Sequence, residues 1–196
     1  MEFQATVIRL NSYRDSDLIL TVIGPEYGKQ SLFAGNAKKN SRRFSGSFDL
    51  FDSGHFSVRQ GRGKLPYIVS FSPVYAYRNL RTSLERLTAA SLICECFDHM
   101  LKDEMACPNE LYDAFSLALK SINQSSDLLA ILKASHIAIT NLLLHSGLLG
   151  SPSELPPSVK NLNRLLDRIE EFSQRRIATR AALSDITSAL KQRKAS

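Results

Sequence analysis

Cysteine is scarce in this chain. There are three, an odd number, so a disulfide framework is not implied. Long apolar runs are missing too. The longest, "IAITNLLLHSGLL", is interrupted by Asn141 and His145 and falls short of the roughly 20 residues needed to span a bilayer. The opening "MEFQATVIRL" has no basic region followed by an apolar core, so no signal peptide is indicated. A cytoplasmic location without a membrane partner is the expectation. Signatures of catalysis are also lacking: there is no G-x-S-x-G and no H-E-x-x-H, and His55, His99, His136 and His145 are scattered. "GRGK" at 61–64 lacks the span of a phosphate-binding P-loop and does not precede a helix, and reads as a hairpin tip. An enzyme with an obvious active site is disfavoured, and a hydrolase has the least support. Metal binding is weakly indicated. Cys94 and Cys96 lie two apart on a predicted helix and diverge. Cys96, His99 and Cys107 are better spaced, but structural zinc wants four ligands in paired short spacings. Buried cysteines acting as small apolar residues is the favoured reading.

What is present is the composition of an ordinary globular protein, 43% hydrophobic and 22% charged, with an uneven excess of positive charge. The net charge is +6. Residues 1–72 hold ten Lys/Arg against six Asp/Glu, or +4; residues 73–151 hold six against eight, or −2; residues 152–196 hold nine against five, or +4. Basic character therefore sits at the two ends of the chain, and uneven positive fields steer anionic partners.

The first third reads as β. "QATVIRL", "SDLILTVIG", "KQSLFAG", "FDLFDSGHFSVRQ" and "LPYIVSF" are rich in β-branched, aliphatic and aromatic residues and are separated by turn signals. Five short strands in about 70 residues suit a small closed barrel, because closure removes exposed edges. After Pro73 the pattern becomes helical. Leu80, Leu84, Leu87, Ser91, Cys94, Phe97 and Leu101 fall at three- and four-residue steps, a stripe that could be buried. Pro108 opens a second helix, Asp127 caps a third that Gly147 ends, and "LLGSPSELPPS" links to two further helical segments. The last residues, "KQRKAS", alone suggest disorder. The expected architecture is α+β: a barrel over residues 1–74 and an all-helical domain over 75–196.

Two stretches carry the charge. Between Tyr27 and Phe48 lie Lys29, Lys38, Lys39, Arg42 and Arg43 with no acid; between Ser53 and Leu84 lie Arg59, Arg62, Lys64, Arg78 and Arg81, again with none. Phe33, Phe44, Phe48, Phe51, Phe56 and Tyr67 are interleaved. Single-strand-binding barrels combine a positive groove with aromatic faces on which bases stack. Phe48, Phe56 and Phe71 are assigned to the barrel core, and a basic loop is also common on a solvated surface. The residues by themselves thus give a small barrel with a basic face and a helical domain, in the manner of a nucleic-acid-binding protein.

"YRDSDLILTVIGPEYGK", with Tyr13, Asp15, Ser16, Asp17, Glu26 and Gly28, and "GNAKKNSRRFSG", with Gly35, Lys38, Lys39, Ser41, Arg42, Phe44 and Gly46, resemble the RecO family of bacterial DNA repair proteins. The helical "LRTSLERLTAASLICECFDHML" and "LLLHSGLLGSPSEL" fit the same family. The extra arginine at position 43 departs from the pattern. The four-cysteine zinc module of many members is also missing, since "GSPSELPPSVKNLNRLL" has no cysteine; the chain is short for the family. The resemblance implies an N-terminal OB-fold that binds single- and double-stranded DNA, a helical domain, and no nucleotide cofactor. It further implies annealing of complementary strands, including those coated by single-stranded DNA-binding protein, and action with RecR to load RecA. On this reading Lys38, Lys39, Arg42 and Arg43 are the main phosphate contacts, and Arg9, Arg14, Lys29, Arg59, Arg62 and Lys64 are secondary ones. Phe44 is an anchor for the loop. Charge alone suggests that the acidic tail of single-stranded DNA-binding protein docks near Arg175, Arg176 and Arg180. The protein would be non-enzymatic, cytoplasmic and nucleoid-associated. The alternative is an interaction adaptor whose helical domain carries the function while the barrel is a scaffold.

Overall fold

The computed structural model describes all residues except 40–43, 45, 47, 62, 104 and 196, and gives the backbone alone for 76 and 189–195. It divides into two compact units, residues 1–76 with 101–112, and residues 77–100 with 113–196.

The first unit is built on five strands: β1 (Glu2–Tyr13), β2 (Asp17–Gly24), β3 (Gly28–Ala34), β4 (Asp52–Arg59) and β5 (Tyr67–Ala76). They close into a barrel in the order β1-β2-β3-β5-β4, with β4 returning to β1. All neighbours are antiparallel except β3 and β5, which run parallel through Phe33 and Tyr67. Side chains alternate across a pleated strand, so Phe3, Ala5 and Val7 of β1 point inward with Leu20, Val22, Leu32, Phe56, Val58, Ile68 and Phe71. Closure leaves each strand paired on both sides, which explains why strands this short are stable together.

Two features explain the glycine of the first motif and the chain beyond the first helix. Gly28 takes a φ of +60°, and a Cβ there would lie 1.5 Å from the carbonyl oxygen of Met105. Only glycine satisfies both conditions. Next to it, Lys29 makes a parallel bridge to Asp103, and its ammonium lies 3.1 Å from the Asp103 carboxylate. Further along the same segment, the Tyr112 hydroxyl lies 3.2 Å from Thr6 Oγ1, which in turn donates to Ser53. Residues 101–112 thus pack with the barrel, although they are separated from it in sequence by a helix.

The second unit holds a 3-10 turn at Arg78–Arg81 and the helices α1 (Leu84–Met100), α2 (Asn109–Gln124, which starts in the first unit), α3 (Leu128–His145), α4 (Val159–Ser173) and α5 (Arg180–Ala195). The expected stripe on α1 is corrected in part. Leu84 is 65% exposed, and from Thr88 to Asp98 nearly every position is buried. A helix enclosed on most sides has no single apolar face to read. Asp127 caps α3 as expected, accepting from the N–H groups of Leu129 and Ala130, and Gly147 follows with a φ of +70°. By length and composition α3 could cross a membrane, but half of it is buried within the unit, as a core helix is. In α4 the buried Leu162, Leu165, Leu166 and Ile169 fall at three- and four-residue steps and form one seam. α5 continues through Ala195.

Glu95 of α1 secures the start of α5. Its carboxylate accepts the backbone N–H groups of Ala178 and Thr179 and the Thr179 hydroxyl. Partial burial opposes its charge, but these hydrogen bonds and nearby His99 outweigh that and hold the carboxyl below its usual range.

Candidate nucleic-acid interface

The β1–β2 turn and the β4–β5 loop meet at one end of the barrel. Together with β2 and β3 they line a cleft of about 390 Å³ formed by Tyr13, Arg14, Ile19, Phe33, Gly61, Gly63, Lys64, Leu65 and Tyr67. Its wall is aromatic. Phe33 meets Tyr13 edge-on, with ring centres 6.0 Å apart, and leans on Tyr67 at 5.7 Å. Guanidinium groups lie over the outer members, Arg14 at 5.2 Å from the Tyr13 ring centre and Arg59 at 5.3 Å from that of Tyr67. Strand registry accounts for the grouping: Tyr13 pairs with Asp17 at the β1–β2 turn, Ile19 with Phe33, and Phe33 and Arg59 both with Tyr67.

The acidic-serine-aspartate turn has a positioning role. Asp17 Oδ1 accepts the N–H of Asn36 at 2.7 Å, and the Ser16 carbonyl accepts the N–H of Lys38 at 3.0 Å. The loop that follows β3 is thus pinned to the β1–β2 turn at its first residues. Lys38 and Lys39, both exposed, follow directly. The other end of the loop is anchored by burial. Phe44 is 2% exposed, packs on Phe48 at 4.9 Å and belongs to the barrel core. That is the anchoring role expected of it, and Phe48, Phe56 and Phe71 are core residues as well.

The remaining candidate cations separate by surroundings. Arg14, Arg59 and Lys64 are exposed around the cleft. Arg9 is exposed four residues before Tyr13 on β1, with its Nε donating to Thr21. Lys29 is buried and ion-paired with Asp103. Arg42, Arg43 and Arg62 lie outside the described residues. Five cations therefore remain exposed in the cleft and its adjoining loop, Lys38, Lys39, Arg14, Arg59 and Lys64. None of them makes an ion pair among the described residues. Asp15 is the exposed acid of the same turn.

The aromatic wall as a unit was not read from the sequence. Tyr13 figured there only as a motif landmark, and Phe33 and Tyr67 stand 34 positions apart, so only the β3–β5 closure brings the three rings together.

In the second unit Arg175 and Arg180, two of the three arginines singled out by charge, have internal partners. Arg180 pairs with Asp167 at 2.6 Å and with Glu170 at 2.5 Å, and Arg175 lies 3.5 Å from Asp98. Arg176 is exposed. The cysteines are free and buried, and burial raises all three thiols, Cys107 to about 11. Among the described residues no three His, Cys, Asp or Glu side chains are grouped to hold a metal ion.

A closed five-stranded barrel in this order, with a parallel β3–β5 contact and its β1–β2 and β4–β5 loops around a cleft, is an OB-fold; with the helices that follow, the protein is of the α+β class. Residues 1–77 match the family model "Recombination protein O N terminal". The chain is also similar to proteins named DNA repair protein RecO. It is 30% identical to that of Syntrophus aciditrophicus over 138 residues, 68% of this chain and 53% of the relative. It is 27% identical to that of Listeria monocytogenes over 124 residues, 63% and 48% respectively. It is 30% identical to that of a Roseiflexus species over 119 residues, 61% and 40%. Residues 1–77 therefore carry the RecO N-terminal domain, and the chain as a whole is similar to RecO proteins. It spans about half the length of the curated relatives it matches.

Proposed function

We propose that this protein is a non-enzymatic DNA-binding factor of DNA repair that pairs complementary strands. The observation that carries the reading is the set of exposed cations beside the cleft, Lys38, Lys39, Arg14, Arg59 and Lys64, held on an OB barrel and left without internal ion pairs among the described residues. Such groups neutralise phosphates and release the counterions condensed on them. Where two strands are neutralised on one basic surface, the repulsion that opposes pairing falls. Arg42, Arg43 and Arg62 belong to the same proposed contact set by their place in the sequence, and Arg9 extends it along β1. Lys29 is omitted, because its charge is already neutralised by Asp103.

Similarity to proteins named DNA repair protein RecO supports the finer parts. These are binding of single- and double-stranded DNA, partnership with RecR in loading RecA onto strands coated by single-stranded DNA-binding protein, and a cytoplasmic, nucleoid-associated location. No nucleotide is required on this reading. The acidic tail of single-stranded DNA-binding protein would find Arg176 more available than Arg175 or Arg180, which are ion-paired within the helical unit.

The test is strand annealing without ATP, with oligonucleotides monitored by fluorescence quenching. The full chain should accelerate pairing, and its single-strand affinity should fall with salt by about 0.7 in log–log slope for each phosphate contact. An annealing rate equal to that of protein-free controls would refute the reading.

A further inference from the structure

We infer that the cleft between the β1–β2 turn and the β4–β5 loop is a pocket for a single unpaired nucleobase, with the ring face of Tyr13 as its stacking surface. This deepens the proposed function and rests on it. The basic residues alone would hold any phosphate chain, paired or not. The cleft adds a second kind of recognition, which only an exposed base can satisfy.

Three observations carry the assignment. The wall is a contiguous aromatic cluster, Tyr13, Phe33 and Tyr67, extended by Ile19 and Leu65. Tyr13 remains 41% exposed even though its ring belongs to that cluster. An aromatic side chain in that position presents a large apolar face to water, which is favourable to cover. The groups already lying on the rings are flat and cationic, Arg14 over Tyr13 and Arg59 over Tyr67. A ring face that accepts a guanidinium is electron-rich and flat, and accepts a nucleobase by the same geometry. Turning outward, Arg14 would then meet the phosphate adjoining the stacked base, while Lys64 meets another.

At about 390 Å³ the cleft lies near the lower end of the roughly 300–1,000 Å³ range of ligand pockets. In a duplex the base faces are covered by their neighbours, so a paired strand must first be opened to present one. The pocket therefore discriminates single strand from duplex, whereas Lys38 and Lys39 do not. Backbone geometry contributes as well: Arg14 follows Tyr13 with a φ of +55°, which turns the chain sharply where the ring leaves β1.

Tyr13→Ala separates the two kinds of recognition. The side chain is well exposed, so the barrel is retained, and Tyr13→Phe restores the ring without the hydroxyl. Binding is measured by fluorescence anisotropy for a single strand, a duplex of equal length, and a single strand of abasic sites. A 2-aminopurine in the single strand reports stacking directly. Tyr13→Ala should weaken single-strand binding about tenfold. It should leave the duplex, the abasic strand and the salt slope unchanged, and it should abolish the change in 2-aminopurine emission seen with wild type and Tyr13→Phe. Equal losses for single strand, duplex and abasic strand would overturn the inference, as would no loss for any of them. If wild type binds with the proper salt slope and Tyr13→Ala is indistinguishable from it, the base pocket fails while the proposed function stands. If wild type binds no DNA at any salt concentration, both fail.

Discussion

Residues 1–72 and residues 152–196 each carry a net charge of +4, yet the two regions use it differently. On the barrel, Arg14, Arg59, Lys38, Lys39 and Lys64 stand in the open beside an aromatic cleft. In the helical unit, Arg168 pairs with Glu154, Arg175 with Asp98, and Arg180 with both Asp167 and Glu170. Charge counted along the chain gives both regions equal standing as polyanion sites. Charge counted by partner separates exposed cations with no ion pair among the described residues from Arg168, Arg175 and Arg180, which the protein's own carboxylates already hold.

The barrel side of that comparison depends first on the barrel's existence, and Gly28 is its most exacting position. Gly28→Ala should destabilise the first unit by more than about 2 kcal/mol, from left-handed strain together with the collision with Met105. Urea denaturation followed through the barrel tyrosines would measure it, and an unchanged midpoint would mean that the 101–112 segment does not pack where it lies here.

The helical side is tested through Glu95. Glu95→Gln removes a charged acceptor from the start of α5 and should cost roughly 1–2 kcal/mol. The sign of its pH dependence follows from the depressed carboxyl. The stabilisation is present above the unfolded carboxylate value of about 4.3 and is lost as pH falls through the lower folded value. Wild type should therefore lose stability on acidification below about pH 4.3 more steeply than Glu95→Gln does. Parallel curves for the two proteins would contradict the shift.

Smaller in energy, but closest to the comparison, is a matched pair of charge removals. Lys38→Ala with Lys39→Ala should lower the salt slope for single-stranded DNA by about 1.4, two contacts at 0.7 each. Thermal stability should hardly change, since both side chains are exposed. Arg175→Ala with Arg180→Ala should do the opposite, leaving the salt slope unaltered while lowering stability by up to about 1 kcal/mol. If the second pair changed DNA binding as much as the first, internal pairing would not be what separates the two regions.

Burial contributes the mildest effect. His136 is enclosed in α3, with Thr140 beside its Nδ1, and burial lowers its pKa, partly opposed by the Leu155 backbone. A histidine kept neutral in the folded state is a liability once the unfolded chain can be protonated. Stability should decline modestly as pH falls below about 6.5, and His136→Gln should flatten that decline.

Much of this was legible in the chain itself. Five β-rich segments with turns between them specified a small barrel, and Asp127 and Gly147 marked the ends of α3, because strand alternation and helix caps are local properties. The basic run after β3 and the anchoring role of Phe44 were legible too, since charge density and an aromatic inside a polar loop are visible without coordinates. Where the helical pattern misled, at Leu84, the cause was an α1 buried on most sides, whose spacing marks no single face. Three matters required the tertiary structure: that Lys29 meets Asp103, that Arg175 and Arg180 meet acids, and that Tyr13, Phe33 and Tyr67 share one wall. Each is a contact between residues distant in sequence, created by barrel closure or helix packing. Composition can count such groups, but only the fold determines which of them face one another.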